Sequence, residues 1–423
     1  MTSPVAYFLL LPFLCAVCFA VGRVTRWDSL ETPKRAGRTY YSAIQGLRGL
    51  LALSVFFHHA AISYSYVCTG LWRSPDSHFF AQLGPSAVTM FFFITGFLFW
   101  SRLMSGHDPL RFLPFLRDRA RRLLPAYLAS LLVVIIVLAA QSGFQLRVSP
   151  AELIEQIWAW GTCGVLTSVP GGFPGINGNP SGIFIYARVF WSLRIEWAFY
   201  IALPLLAWFA VSRRFVWILP ACLGAIFISN VLASHGLFAL VHLLNLPIGL
   251  ASYLFSAFSV GIFAAYARKQ WQLERLCCHW ACTPVAVALW LATMFAVPDR
   301  QLIISAALAP VFLMIVYGNT FHGLLSSRFL SFAGTISYSA YLFHGIALYL
   351  ITHTVNRIVP VQGMNALQYW TLMAFAGVVV VAVSSISFRF VEHPWIARRR
   401  VSTASLRPQA VLITGHPVYS DAA

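Results

Sequence analysis

Charge is scarce in this sequence, and acid is scarcer still. Only 10% of the 423 residues are charged, and only 12 are Asp or Glu. A water-soluble domain carries about 25% charged residues, so the shortfall excludes a single soluble globule. Metal-ligand spacing is missing as well. Cys277, Cys278, His279 and Cys282 cluster, but their order matches neither the usual zinc pairs nor a C-x-x-C-H haem attachment, and no metal site is assigned. Cys68 and Cys163 fall in loops expected on one side of a membrane, where a disulfide is open but unsupported by spacing. No inverted internal repeat of the kind common in secondary transporters is visible.

What the sequence does have is apolar length. Hydrophobic residues make up 59% of the chain and its mean hydropathy is +0.75. Such a chain is expected to be an all-α, polytopic transmembrane helix bundle built from spans of about 20 apolar residues. Eleven spans are predicted, at 4–22, 44–64, 82–101, 123–140, 188–210, 215–233, 247–266, 281–297, 302–317, 335–352 and 369–390. The first has the length of a signal peptide, but no Lys or Arg precedes Arg23, so it is read as a retained helix.

The net charge of +17 invites a nucleic-acid reading, yet the basic residues sit in short runs between apolar segments. Between these spans, 22 Lys and Arg fall on one side and five (Arg73, Arg147, Arg188, Arg300 and Arg357) on the other, with Arg48 and Arg194 inside spans. The rich side is expected in the cytoplasm, which puts the N-terminus outside and the C-terminus inside. The same runs suit anionic lipid rather than nucleic acid. Residues 141–187 form a long outer loop with a Gly/Pro/Asn-rich centre, and 398–423 a polar tail expected to be disordered.

Ionisable groups inside spans are costly and are functional candidates by default. Glu196 is the acidic residue placed well within a span, and Glu392 ends the last one. On the second span, eleven residues separate Arg48 from His59. At 100° per residue this returns to within roughly 20° of the same direction, about 16 Å along the axis. His58 points elsewhere. His59 is a candidate general base, set against the plainer role of a helix–helix hydrogen bond. Glu196 either orients an imidazole or tethers helices. Arg119 and Arg122 share a helix face suited to gripping phosphates, against a purely topogenic reading. Ser337, Tyr341 and His344 fall on one polar stripe, which packing or substrate contact explains better than catalysis.

In order along the chain, these segments resemble the membrane-bound acyltransferase-3 family. The resemblance runs from about 40 to 397. It rests on Arg48 to His59, on Phe92-Phe93-Ile94-Thr95-Gly96-Phe97, and on Arg119 and Arg122 before Pro125. It continues with Trp191 through Tyr200, with Ser337 through His344, and with Val391-Glu392-His393-Pro394. The resemblance implies an O-acyltransferase domain over 40–397, preceded by an extra helix and basic linker in 1–39. It implies acyl-CoA, commonly acetyl-CoA, as co-substrate with no bound cofactor. It implies a glycan or lipid-linked sugar as acceptor, such as a polysaccharide or lipopolysaccharide, and a bacterial inner membrane as the setting. His59 and Glu196 would be catalytic, Arg48, Arg119 and Arg122 would bind acyl-CoA, and Tyr200, Tyr341, His344 and Glu392 would support the site. Arg194 departs from the small polar residue often found at its motif position. A transporter or exporter of an organic anion is the rival reading, since a basic mouth and buried polar groups suit that too.

Overall fold

The structure, a computed structural model, describes residues 3–25, 39–105, 112–164, 173–211 and 248–397. Fourteen α-helices and no strand occur among them. They are α1 (Val5–Thr25), α2 (Thr39–Thr69), α3 (His78–Met104), α4 (Phe112–Gln141), α5 (Pro150–Gly161), α6 (Gly182–Ile185), α7 (Phe190–Val211), α8 (Ile248–Gln270), α9 (Glu274–Cys277), α10 (Cys282–Ala296), α11 (Gln301–Val316), α12 (Arg328–Thr335), α13 (Ser337–Asn356) and α14 (Ala366–Ser387). Ten of the eleven predicted spans coincide with helices. The eleventh, 215–233, lies outside the described residues, as does the tail 398–423. Val5–Thr25, Tyr41–Thr69, His78–Met104, Phe112–Gln141 and Ala366–Ala397 are long and apolar enough to cross a membrane. Cys282–Ala296 and Gln301–Val316 are equally apolar but shorter.

Local chemistry sets the helix ends. Asn365 caps α14 reciprocally with Gln368, each side chain accepting the other's backbone N–H at 2.9 Å. Within the loop predicted at 141–187 the chain makes a helix that composition did not suggest. Ser149 accepts the Glu152 N–H, Pro150 occupies the first turn, and α5 follows. Trp160 of α5 is buried and donates to the Pro174 carbonyl at 2.9 Å, which fastens the loop to the bundle.

The centre of the bundle is α2, which packs on α3, α12 and α13. Glycine makes these approaches close. A Cβ at Gly46 would overlap the Leu325 carbonyl, one at Gly49 the Leu330 carbonyl, and one at Gly334 the Gln45 carbonyl. On the other flank, Gly96 of α3 and Gly261 of α8 cross the same way. A Cβ at Gly96 would stand 2.6 Å from the Phe258 oxygen. Without lipid-excluded apolar surface to drive them together, membrane helices associate through such small-residue contacts. The first helix joins this core, burying Tyr7, Leu14 and Cys18 against α2, α12 and α14. All seven described cysteines are free thiols, so Cys68 and Cys163 form no disulfide.

Candidate active site

A cavity of about 290 Å³ opens between α2, α3, α4, α7 and α13. Four arginines line it: Arg48, Arg102, Arg119 and Arg122. The sequence singled out three of them. Arg102 was counted only as an orienting charge, and its place beside the others depends on how α3 ends against α4. Arg119 lies over the Phe99 ring, 4.9 Å from its centroid, and near the Phe115 ring at 5.8 Å. Such stacking holds a guanidinium in place while leaving its N–H edges directed at an anion. Arg48 donates to Gln45 Oε1 at 3.3 Å, and Gln45 in turn donates to Thr335 at 3.1 Å.

Glu196 lies in the same cavity. Its carboxylate accepts a hydrogen bond from Tyr200, one turn on in α7, and feels the charges of Arg119, Arg122 and Arg48. The structure therefore puts Glu196 among cations rather than against an imidazole. Its hydrogen-bond partner is the tyrosine that the motif places four residues later.

Tyr341 lines the far wall. Its hydroxyl is 2.6 Å from Ser192 Oγ and donates to the Val189 carbonyl at 3.2 Å, which joins α13 to α7. Sequence reasoning quoted Ser192 within a motif without giving it a part. Its partner sits 149 positions away, so no local pattern marks it. One turn beyond Tyr341, with ring centroids 6.0 Å apart, stands His344.

His344 meets His59. Nε2 of His344 is 3.0 Å from Nδ1 of His59, and the ring centroids are 4.9 Å apart. The chain of contacts thus runs from the arginine cavity through Tyr341 to the paired imidazoles. Arg48 and His59 both face α13 at different levels, as their eleven-residue spacing implied. His58 turns the other way, its Nδ1 2.7 Å from the Phe80 carbonyl, and its ring packs on Gly84 of α3. On the opposite side from the cavity, Trp72 lies 6.1 Å from the His59 ring. The turn after α6 also closes here. Ala187 and Arg188 adopt left-handed backbone (φ 52 and 56), and a Cβ on Gly345 would stand 2.7 Å from the Tyr186 carbonyl carbon.

Glu392 is not a lining residue. It sits buried in a π-turn, Phe388–Glu392, where Ser339 of α13 donates to its carboxylate and Ser387 joins Ser339 at 2.8 Å. Its place is behind the helix that carries Tyr341 and His344. Among the described residues no group of three or more potential metal ligands clusters.

A family model described as an acyltransferase domain matches residues 41–389. The chain belongs to the acyltransferase-3 family. No curated protein and no solved structure matches it. The match begins after α1, so this acyltransferase carries a helix ahead of the matched region that the structure packs into the bundle. It is a multi-pass membrane acyltransferase whose arginine cavity and imidazole pair lie within the matched residues.

Proposed function

We propose that this acyltransferase moves an acyl group, acetyl foremost, from cytoplasmic acyl-CoA to a hydroxyl of an envelope or extracellular glycan. The observation that carries the reading is the nearness of two sites: a cavity lined by four arginines, and His59, outside that lining and joined to it by contacts through His344 and Tyr341. Acyl-CoA is a polyanion that enters from one face, and an exported glycan is met at the other. An enzyme joining them needs cations at the first face and a base at depth.

Arg119 and Arg122 would hold the CoA phosphates, with Arg48 deeper and Arg102 at the rim. Glu196 moderates this positive field and, with Tyr200, keeps the arginines apart and aimed. The thiol-linked acyl arm would run past Ser192 and Tyr341. His59 would take the proton of the acceptor hydroxyl as that oxygen attacks the thioester carbonyl. The C–O bond forms, the C–S bond breaks, and the proton returns from His59 to the departing thiolate. The acceptor would approach past Trp72 and the 141–187 loop.

His59→Ala is expected to abolish transfer while leaving the protein in the membrane in normal amount. Mass spectrometry of surface glycans from cells carrying each form reads the result. Acylated glycan at the wild-type level would remove His59 from the chemistry.

A further inference from the structure

The partners of His59 fix which of its nitrogens carries the proton. In His344, Nδ1 stands 3.0 Å from the carbonyl oxygen of Ala340, one turn back in α13. A carbonyl only accepts, so in the neutral ring Nδ1 is protonated and Nε2 keeps its lone pair. That lone pair faces Nδ1 of His59 at 3.0 Å, and the Val55 carbonyl faces the same nitrogen at 3.1 Å. Two acceptors converge on one ring nitrogen. A proton on His59 Nδ1 serves both through a shared hydrogen bond. The other tautomer would leave three lone pairs meeting with no hydrogen between them, a costly arrangement beside the fully buried His344. The proton therefore sits on Nδ1, and Nε2 of His59 is left basic.

We propose that His344 is a positioning residue that holds His59 in its Nδ1-protonated tautomer, with the lone pair of Nε2 as the site that takes the acceptor's proton. This rests on the reading of His59 as the base. When Nε2 accepts the hydroxyl proton, His59 becomes an imidazolium and its Nδ1–H bond to His344 becomes charge-assisted. When Nε2 gives that proton to the thiolate, the starting state returns, and His344 has neither gained nor lost a proton. The arrangement does for His59 what the carboxylate does in a Ser-His-Asp triad, with a neutral imidazole in the carboxylate's place. The fold supports this role specifically. Gly345 lets the Tyr186–Ala187 backbone close on α13 beside His344, and the Ala187 backbone carbonyl is a further acceptor for the His59 ring. The other rings facing His59 are His58, at 4.8 Å between centroids, and Trp72, and neither is hydrogen-bonded to it.

The test compares full-length wild type with His344→Leu, His344→Gln and His59→Ala in native membranes, using isotope-labelled acetyl-CoA and counting label in the glycan fraction. Leucine removes the acceptor, whereas the glutamine amide oxygen restores one near the position of Nε2. The expected result for His344→Leu is a kcat lower by about 10- to 100-fold, the usual effect of losing a group that orients a working imidazole. Its KM for acetyl-CoA should stay within about twofold, because the arginine cavity is untouched. His344→Gln should recover most of the rate. Nitrogen NMR of histidine-labelled protein should show His59 protonated at Nδ1 in wild type and in His344→Gln. Wild-type His59 protonated at Nε2 would overturn the proposal. An undiminished kcat in His344→Leu would do the same, as would equal losses in both variants with the His59 tautomer unmoved. If His344→Leu does not fold, the wild-type and His344→Gln spectra and rates still decide. His59→Ala separates the two ideas. Transfer persisting there sinks the base itself, whereas a dead His59→Ala beside a fully active His344→Leu sinks only the positioning role.

Discussion

At the scale of single residues, the acyltransferase divides its polar groups by what they must hold. Arg119 is clamped on Phe99, and Arg48 is tied through Gln45 to Thr335. Arginines fixed in this way lose little further freedom when phosphates arrive. Replacing Arg119 and Arg122 together by alanine should raise the KM for acyl-CoA by at least about tenfold, since a hydrogen bond to a charged group is worth roughly 1.5–3 kcal/mol. The maximal rate should fall much less, and initial-rate kinetics over a range of acyl-CoA concentrations separates the two. An unchanged KM would make this run purely topogenic. Arg119→Lys should share much of the defect, because an ammonium neither stacks on Phe99 as well nor presents a planar fork. Much of this was legible in sequence. Arg48, Arg119, Arg122, Glu196 and Tyr341 all line one cavity, and each had drawn notice as a polar residue in or beside an apolar span, whereas Tyr200, which lines it too, was marked by the family resemblance. Ser192 and Arg102 were passed over, one a small hydroxyl common in membrane helices and the other a basic residue at a helix end.

At the scale of elements, the site depends on how closely α2 can lie against its neighbours. Gly49 and Gly334 let α2 and α12 touch backbone to backbone, Gly46 does the same for α2 and the turn at Leu324–Ser326 before α12, and these approaches help set the levels at which Arg48 and His59 meet α13. Gly46→Ala forces a methyl group into the Leu325 carbonyl, with no flexible side chain to give way. The expected cost is about 1–3 kcal/mol, the usual range for overpacking. It should appear as a lower midpoint of thermal unfolding in detergent, whereas alanine at Gly363, whose Cβ position is open, should leave the midpoint unchanged. The π-turn at Phe388–Glu392 is a second such device. It brings the Glu392 carboxylate to Ser339, a position an uninterrupted α-helix would have rotated past.

For the whole molecule, the direction of transfer follows from which end faces the cytoplasm. In the proposed orientation, with the side that carries 22 basic residues against five facing inward, the arginine-cavity end would face the cytoplasm. Cys278 is exposed in the turn between α9 and α10, close enough to feel the charge of Arg268, and so belongs to that end. In a variant retaining Cys278 as its single cysteine, a membrane-impermeant maleimide should label inside-out vesicles and spare intact cells. Partial burial and then the Glu274 carboxylate hold this thiol above its ordinary range, so labelling should quicken as pH rises towards about 9. Labelling of intact cells alone would invert the orientation and, with it, the face at which the donor enters.

The sequence by itself determined that this chain is a helical membrane bundle, where most of its spans run, and which residues are out of place in hydrocarbon. Those properties are local: apolar length, helical spacing and the cost of burying a charge are each read from neighbouring residues. Only the tertiary structure decided what those residues meet. It set Glu196 among arginines with Tyr200 as its partner, and joined Ser192 to Tyr341. Across 285 positions of sequence, it brought His344 to His59. Helical periodicity gives the direction in which a side chain points but not the helix it points at. That choice was made in part by glycine contacts, of α2 with α12 and the turn before it and of α13 with the 186–187 backbone, which act through space.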